Sequence, residues 1–80
     1  MLTNARLYGN PFCHLCREAE AILHRAGIAA TKIDVTENQS LFQKYSLRIP
    51  VLQRIDDESE LDWPFDESAV SRFLTRKRTT

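Results

Sequence analysis

The sequence predicts an α/β fold in which helices pack on one mixed β-sheet. Three observations lead to this prediction. A strand pattern, a helix pattern and a second strand pattern follow one another as far as Val35. Two later apolar runs flank a polar turn, as in an antiparallel hairpin. An amphipathic segment then follows, so the predicted order is β-α-β-α-β-β-α, with a four-stranded mixed sheet and three helices.

Length and charge narrow the classes of protein to consider. The chain has 80 residues, 11 basic and 11 acidic side chains, and a formal net charge of zero. This balance gives no electrostatic basis for binding nucleic acid or an anionic membrane, and no apolar run approaches the ~18 residues of a transmembrane helix. Met1 to Gly9 lacks the basic and apolar pattern of a secretion signal. We therefore expect one domain over residues 1–80, monomeric and cytoplasmic, with no nucleic-acid or membrane partner.

The first half of the chain predicts a βαβ unit. Ala5 to Tyr8 leans apolar and is closed by Gly9-Asn10-Pro11, as expected of a strand that enters a tight loop. One face of the following helix carries apolar residues at helical spacing: Leu15, Ala19, Ile22, Leu23 and Ala26. Gly27 supplies the stop, and Ala30 to Val35 alternates as a second strand. The two strands should be parallel, with a right-handed crossover.

A short helix and a hairpin follow. Ser40 opens a capping-box pattern for a helix that runs through Tyr45. The residues expected to face inward are Leu41, Phe42 and Tyr45. Val51 to Ile55 and Glu60 to Trp63 flank a polar turn and predict two antiparallel strands.

The last helix has a predicted start and a predicted buried stripe. Asp66 is placed to cap it, and Phe65 can pack on Val70 one turn inside. The buried stripe comprises Val70, Phe73 and Leu74. Basic residues near its end complement the helix dipole rather than marking a nucleic-acid patch: Arg72, Arg76, Lys77 and Arg78.

Cys13-His14-Leu15-Cys16 carries the chemistry, because it stands where the first strand and its loop give way to a helix. Residues three apart share a helix face, so the two sulfurs can approach bonding distance. The free N–H groups and positive dipole end of a helix favour a thiolate there. The pattern predicts that Cys13 attacks a disulfide and that Cys16 resolves the mixed disulfide.

Two other interpretations of the cysteine pair are weaker. A purely structural crosslink that closes so short a ring would stabilise the fold by only ~2 kcal/mol. A closed zinc site needs four ligands, and the chain offers two Cys and two His, with His14 between the cysteines and His24 further along the same helix. We therefore predict no metal site within one chain, while zinc shared between two chains stays an alternative.

The chain resembles the thioredoxin superfamily over nearly its whole length. The resemblance rests on the cysteine motif within the βαβ pattern, on Arg48-Ile49-Pro50-Val51, and on Trp63-Pro64-Phe65-Asp66 before the last helix. Within this superfamily, the chain is most similar to small glutaredoxin-like proteins with a Cys-His-Leu-Cys centre. The resemblance implies a thioredoxin-like fold and a thiol-disulfide oxidoreductase that reduces protein or small-molecule disulfides. It also implies a cis Ile49-Pro50 bond, whose backbone pairs with an incoming peptide or glutathione.

Beside Ile49 and Pro50, the residues near the cysteine motif and at the start of the last helix are candidates for the site. We expect Ile49, Pro50, Phe12 and Asp66 to bind substrate, and His14 to modulate the Cys13 thiolate. Arg48 could supply charge. Glutathione-using glutaredoxins usually place paired glycines ahead of the last helix, whereas this chain has the Trp-Pro-Phe-Asp segment there.

Three functional expectations follow. No cofactor is expected beyond the Cys13–Cys16 disulfide, with glutathione as an optional co-substrate. The partners are a disulfide-containing protein or small thiol and a reductant that the sequence does not identify. The alternative function is a redox-inactive thioredoxin-like binding module, or a metal-holding protein that uses the Cys pair.

Overall fold

Four strands and three α-helices follow one another in the predicted order in the computed structural model, which describes residues 5–75. The strands are β1 (Ala5–Gly9), β2 (Thr31–Asp34), β3 (Val51–Arg54) and β4 (Glu60–Asp62). The helices are α1 (His14–Arg25), α2 (Gln39–Tyr45) and α3 (Glu67–Thr75), and a 3-10 turn (Val35–Glu37) joins β2 to α2. The predicted α/β fold is confirmed. The tail cations Arg76, Lys77 and Arg78 lie outside the described residues.

The strands form one mixed sheet in the order β2-β1-β3-β4. As predicted, β1 and β2 are parallel and β3 and β4 are antiparallel. Strand β3 also runs antiparallel to β1, with Val51 opposite both Tyr8 and Asp62. The end of β1, the start of β3 and the end of β4 therefore meet at one end of the sheet. We call it the Gly9 end, and the loops there lead to Cys13, Pro50 and Asp66.

Each face of the sheet buries its own core, because neighbouring residues of a strand point to opposite faces. Leu7 and Leu52 face α1 and α3, in a cluster that includes Ala19, Leu23 and Phe73. On the other face, residues of the sheet pack with α2 and the turn before it: Tyr8, Val51, Val35 and Tyr45. The rings of Tyr8 and Tyr45 stack there, with centroids 4.3 Å apart. The sheet is therefore covered by helices on both faces.

The first helix ends as predicted but buries a different stripe. Gly27 adopts a φ of 74°, and its N–H donates to the His24 carbonyl, which closes the helix. The predicted inward position of Leu15 is wrong, since this side chain is 42% exposed. Cys16 takes the inward place instead, in line with Ala19.

The second helix starts from a different cap than predicted. The N-cap is Asn38 rather than Ser40, and its Oδ1 accepts a hydrogen bond from the Leu41 N–H at 3.0 Å. The helix is only seven residues long and turns Leu41 and Tyr45, one turn apart, toward the sheet. Phe42 was expected to face inward but is 48% exposed, because it lies at the side of this narrow stripe.

The last helix begins as the sequence predicts. The Asp66 carboxylate accepts a hydrogen bond from the Ala69 N–H at 2.7 Å, and the Val70 N–H donates to the Asp66 carbonyl. Phe65 and Val70 are buried in the same core cluster. Asp66 thus fixes the first turn of α3 at the Gly9 end of the sheet.

A buried guanidinium joins the hairpin to α3. Arg54 is 4% exposed, and its Nη1 donates to the Phe73 carbonyl at 2.9 Å. Its Nε and Nη2 donate to the Asp56 carboxylate, with the Nε contact at 2.9 Å. Nothing in the strand pattern of the sequence predicts this role, because it depends on where α3 packs.

The Arg54–Asp56 pair predicts how stability depends on acidity. Hydrogen bonds from Arg54 hold the pKa of Asp56 at about 2, below its ordinary value of 3.8. A carboxyl whose pKa is lowered by folding stabilises the protein above its ordinary value, and this contribution is lost as the pH falls toward the folded-state pKa. We expect the urea concentration at the unfolding midpoint to decrease as the pH is lowered from about 4 to about 2. This decrease should be less steep in Asp56→Asn.

The control is Glu58→Gln, a change at an exposed residue of the same turn. It should keep the wild-type slope. The lowered pKa of Asp57, caused by hydrogen bonds from Ser59, should leave some acid sensitivity in Asp56→Asn. An Asp56→Asn protein with the full wild-type slope would refute this assignment.

Candidate active site

The loop that leaves β1 presents Cys13 at the very start of α1. Asn10 shapes this loop, since its Oδ1 accepts a hydrogen bond from the Phe12 N–H at 2.8 Å and its carbonyl accepts one from the Cys13 N–H at 3.2 Å. Cys13 is the N-cap residue of α1, with an extended backbone at φ −87° and ψ 112°. The sequence thus folds locally so that a cysteine takes the place usually held by Ser, Asp or Asn.

The Cys13 sulfur is the cap itself. It accepts a hydrogen bond from the Cys16 backbone N–H at 3.2 Å, and the residue is partly exposed. This N–H belongs to the first turn, where the helix dipole is positive. A donor aimed at the sulfur stabilises negative charge on it more than it stabilises a neutral thiol. The geometry therefore favours a nucleophilic Cys13.

Cys16 has the opposite environment. Only 2% of this residue is exposed, and burial, together with a hydrogen bond to Cys13, raises the pKa of its thiol to about 12. No disulfide joins Cys13 and Cys16 in the structure. At neutral pH Cys16 is thus a protonated thiol, held behind the partly exposed sulfur of Cys13.

Gly9 makes room for the Cys16 sulfur. A Cβ atom at position 9 would lie 2.7 Å from Cys16 Sγ, closer than real Cβ contacts allow. The backbone of β1 therefore approaches the sulfur to a distance that only glycine permits. From the sequence, Gly9 is predicted only as a turn residue. The sequence feature that could have predicted its contact with Cys16 is its position as the last residue of a strand before a cysteine motif.

A cleft of about 250 Å³ opens beside Cys16 between β1, β2 and α1. Its wall includes Gly9, Cys16, Glu20, Lys32 and Asp34. Lys32 Nζ lies 3.2 Å from Glu20 Oε1, so the charged groups on this wall include an ion pair. Cys16 thus borders a cleft with charged groups on its wall, on the β2 side of β1.

Pro50 lies at the same end of the sheet as the cysteines. The Ile49-Pro50 bond is cis, as the resemblance implies, and Pro50 is fully buried directly before β3. A second cis bond, Trp63-Pro64, follows β4 and was not predicted. The Ile49 N–H donates to the Tyr45 carbonyl at 3.0 Å. The backbone N–H of the residue directly before Pro50 is therefore already used within the chain.

The other predicted site residues differ in how they are held. Phe12 is 91% exposed directly before Cys13, and Asp66 caps α3 at the Gly9 end. The His14 imidazole lies 3.2 Å from the Glu18 carboxylate, one turn along the outer face of α1. The topology thus gathers the predicted substrate residues at one end of the sheet, and the role of His14 in tuning Cys13 stays a prediction.

Arg48 belongs to a network that the sequence did not reveal. Its Nη2 donates to Glu60 Oε1 at 2.7 Å and to Asp62 Oδ1 at 2.9 Å, and the Tyr45 hydroxyl donates to Glu60 Oε2 at 2.5 Å. Burial opposes ionisation of Glu60, but the hydrogen bonds from Tyr45 and Arg48 outweigh it and hold the pKa of Glu60 below its ordinary value. The guanidinium next to the cis-proline segment is therefore already paired with carboxylates of β4.

Residues 5–75 contain neither a metal-binding cluster nor a helix that could cross a membrane. Their His, Cys, Asp and Glu side chains form no group of three or more that could hold a metal ion. None of the helices in that range has both the length and the apolar character needed to cross a membrane.

The environments of the two sulfurs predict selective alkylation. With iodoacetamide at about pH 7, Cys13 should be modified and Cys16 should not, because alkylation needs an accessible thiolate. In urea both cysteines should react. Peptide mass spectrometry checks the sites, and native Cys13→Ser should stay unmodified whereas Cys16→Ser should react like the wild type. Modification of Cys16 before Cys13 would contradict the described geometry.

The contact between Gly9 and Cys16 predicts a second outcome. We expect Gly9→Ala to lower the free energy of unfolding by about 1–3 kcal/mol, because the added methyl group overpacks the site. It should also slow formation of a Cys13–Cys16 disulfide in an oxidising glutathione buffer, since the Cys16 sulfur must shift. Urea unfolding and alkylation time courses measure the two effects.

Gly27→Ala is the matched control. Its methyl group would meet nothing within 4 Å, but the φ of +74° strains any L residue. This variant should lose about 1–2 kcal/mol of stability while its rate of disulfide formation stays at the wild-type value. If Gly9→Ala oxidises as fast as Gly27→Ala, the proposed displacement of the sulfur is wrong.

Known proteins with this architecture place the site in context. The family model described as Glutaredoxin-like domain (DUF836) matches residues 4–75. Among curated proteins, no match was found. The crystal structure of the structural-genomics target XcR50 from X. campestris is 33% identical to the chain, covers 92% of it and 99% of its own length, and superposes with a TM-score of 0.85.

Two solution structures agree with the crystal structure. That of XcR50 is 32% identical, with a TM-score of 0.82 over 98% of this chain and 100% of its own. Protein Ne2328 from Nitrosomonas europaea is 24% identical and shares the fold, with a TM-score of 0.70 over 94% of this chain and 96% of its own. The family match, the shared fold and the cysteine pair at the start of α1 show that the chain belongs to the glutaredoxin-like domain family.

Proposed function

We propose that this protein is a thiol-disulfide oxidoreductase that cycles between a dithiol and a disulfide at Cys13 and Cys16. One observation carries the proposal: the partly exposed Cys13 sulfur accepts the Cys16 N–H at the start of α1, with the buried Cys16 thiol three residues on. Membership in a glutaredoxin-like family with a cysteine pair fits a redox role.

The reaction divides into two exchanges. The Cys13 thiolate attacks one sulfur of a substrate disulfide, so a mixed disulfide forms and the other substrate sulfur leaves as a thiolate. Cys16 then loses its proton and attacks Cys13 Sγ, which releases the second substrate thiolate. The substrate gains two electrons, and the protein is left with a Cys13–Cys16 disulfide. An external thiol reductant returns it to the dithiol.

The high pKa of Cys16 separates the two steps. A thiol with a pKa of about 12 is protonated at neutral pH and does not compete with Cys13 for the incoming disulfide. Its proton must leave before the second attack. We place the exit of that proton in the cleft beside Cys16, which has Glu20 and Asp34 on its wall.

The remaining site residues fit the substrate side of this scheme. Ile49 and Pro50 form the segment opposite the cysteine loop, Phe12 flanks the nucleophile, and Asp66 holds α3 beside them. His14 is assigned to tune Cys13. A reducing compartment such as the cytoplasm would favour the dithiol form, so we place the protein there, acting as a reductase.

Trapping and redox equilibration test the proposal. In glutathione redox buffers, alkylation and mass spectrometry should show a reversible two-electron couple between Cys13 and Cys16. The Cys16→Ser variant should accumulate a mixed disulfide with the oxidised substrate, because the resolving thiol is missing, whereas Cys13→Ser should accumulate none.

Two results would overturn the proposal. The first is the absence of a reversible couple in a folded protein. The second is stoichiometric zinc bound after purification without added metal, which would favour a binding or metal-holding role for the Cys pair.

A further inference from the structure

The buried thiol of Cys16 has an acidic neighbour on its own helix. Glu20 lies one turn after Cys16 in α1, so the two side chains share a face of the helix. Both residues line the 250 Å³ cleft between β1, β2 and α1. The Glu20 side chain is 41% exposed, whereas Cys16 is buried. Glu20 therefore brings a carboxylate to the same cleft that Cys16 borders.

Lys32 pairs with this carboxylate from the strand on the other side of the cleft. It lies on β2, and its Nζ is 3.2 Å from Glu20 Oε1. The Lys32 side chain is 68% exposed, so water and salt screen the pair. Lys32 thus holds one oxygen of Glu20 and offsets only part of its charge.

The other acidic groups on the cleft wall are Asp34 and Glu37. Asp34 Oδ1 accepts hydrogen bonds from the Thr36 N–H at 2.9 Å and from the Thr36 hydroxyl at 2.6 Å, so this carboxylate serves the turn after β2. Burial is the largest cause of the raised pKa of Cys16, and the hydrogen bond to Cys13 adds to it. Among the described carboxylates, Glu20 is the one whose charge raises this pKa further.

Formation of the mixed disulfide changes this balance. Cys13 Sγ is then bonded to a substrate sulfur and carries no charge, so a Cys13 thiolate no longer opposes ionisation of Cys16. Burial of Cys16 and the charge of Glu20 remain. Because the second exchange needs the Cys16 thiolate, a negative charge in the same cleft reduces the fraction of molecules that are ready to react.

We propose that Glu20 is a positioning residue whose charge slows the second exchange, and that Lys32 moderates this effect by pairing with Glu20. In that exchange the Cys16 thiol gives its proton to water, and the thiolate attacks Cys13 Sγ. The bond between Cys13 and the substrate sulfur breaks, and the substrate leaves as a thiolate. Glu20 thereby lengthens the life of the mixed disulfide. The inference rests on the proposed oxidoreductase function and adds a control of its second step.

The disulfide reagent dithiobis(nitrobenzoate) separates the two exchanges, because each one releases a coloured nitrothiobenzoate. With excess reagent, the rate of the first release depends on reagent concentration, whereas the second release is intramolecular and does not. In stopped-flow measurements at neutral pH, we expect the second rate constant to rise about two- to fivefold in Glu20→Gln. It should fall by a smaller factor in Lys32→Gln. The pH profile of the second release should move to lower pH in Glu20→Gln and to higher pH in Lys32→Gln.

Glu67→Gln is the matched control. Glu67 Oε2 lies 3.0 Å from Nε of Arg25, the last residue of α1, so this change removes an ion pair of the same kind away from the cleft. Its second rate constant and pH profile should stay at the wild-type values. Circular dichroism verifies that all three variants fold, and the first release, which depends on Cys13, should change less than the second.

The outcomes separate the two proposals. A slower second release in Glu20→Gln would mean that the carboxylate accepts the Cys16 proton, and would overturn the inference. An unchanged rate and pH profile in that variant would also overturn it, and a faster second release in Lys32→Gln would overturn the role of Lys32. Each of these results leaves the oxidoreductase function intact. Wild-type protein with no concentration-independent second release would overturn the oxidoreductase function, and the role of Glu20 with it.

Discussion

The hydrogen bond from the Cys16 N–H to Cys13 Sγ sets both the start of α1 and the chemistry of its first residues. A capping side chain must accept from the first turn, so the bond that ends the loop also directs a donor at the sulfur. The same turn buries Cys16 against β1. One local arrangement therefore leaves the Cys13 sulfur partly exposed as a hydrogen-bond acceptor and buries the Cys16 thiol.

Local sequence patterns predict the parts of the structure that depend on residues close together in the chain. The helix stop at Gly27, the Asp66 cap and the parallel pairing of β1 with β2 follow from turn chemistry and periodicity. Asn38 shows where this reasoning fails, because two capping residues stood two positions apart and tertiary packing selected the first. The exposure of Leu15 has a similar origin, since Cys16 and not Leu15 meets the sheet.

Contacts between distant segments account for most of what the sequence could not predict. Arg48 meets Glu60 and Asp62 only because β4 pairs with β3 in one register. Arg54 is buried because α3 ends over the hairpin. The cysteines themselves were predictable as a redox pair, whereas the space that Gly9 leaves for Cys16 depends on how closely β1 approaches α1, since a Cβ at position 9 would lie 2.7 Å from Cys16 Sγ. The cysteine motif thus identifies the reacting sulfur atoms, whereas the packing of distant segments determines their environment.

Strand β1 separates two sides of the candidate active site. The cleft that reaches Cys16 lies on its β2 side, while Pro50 and the start of β3 lie on its other side. In the proposed reaction, a substrate seated over Cys13 and Pro50 would leave the β2 side uncovered. The proton of Cys16 would then leave on the β2 side of β1, while the substrate binds on the other side. A tightly bound protein substrate therefore need not be released before the buried thiol can ionise.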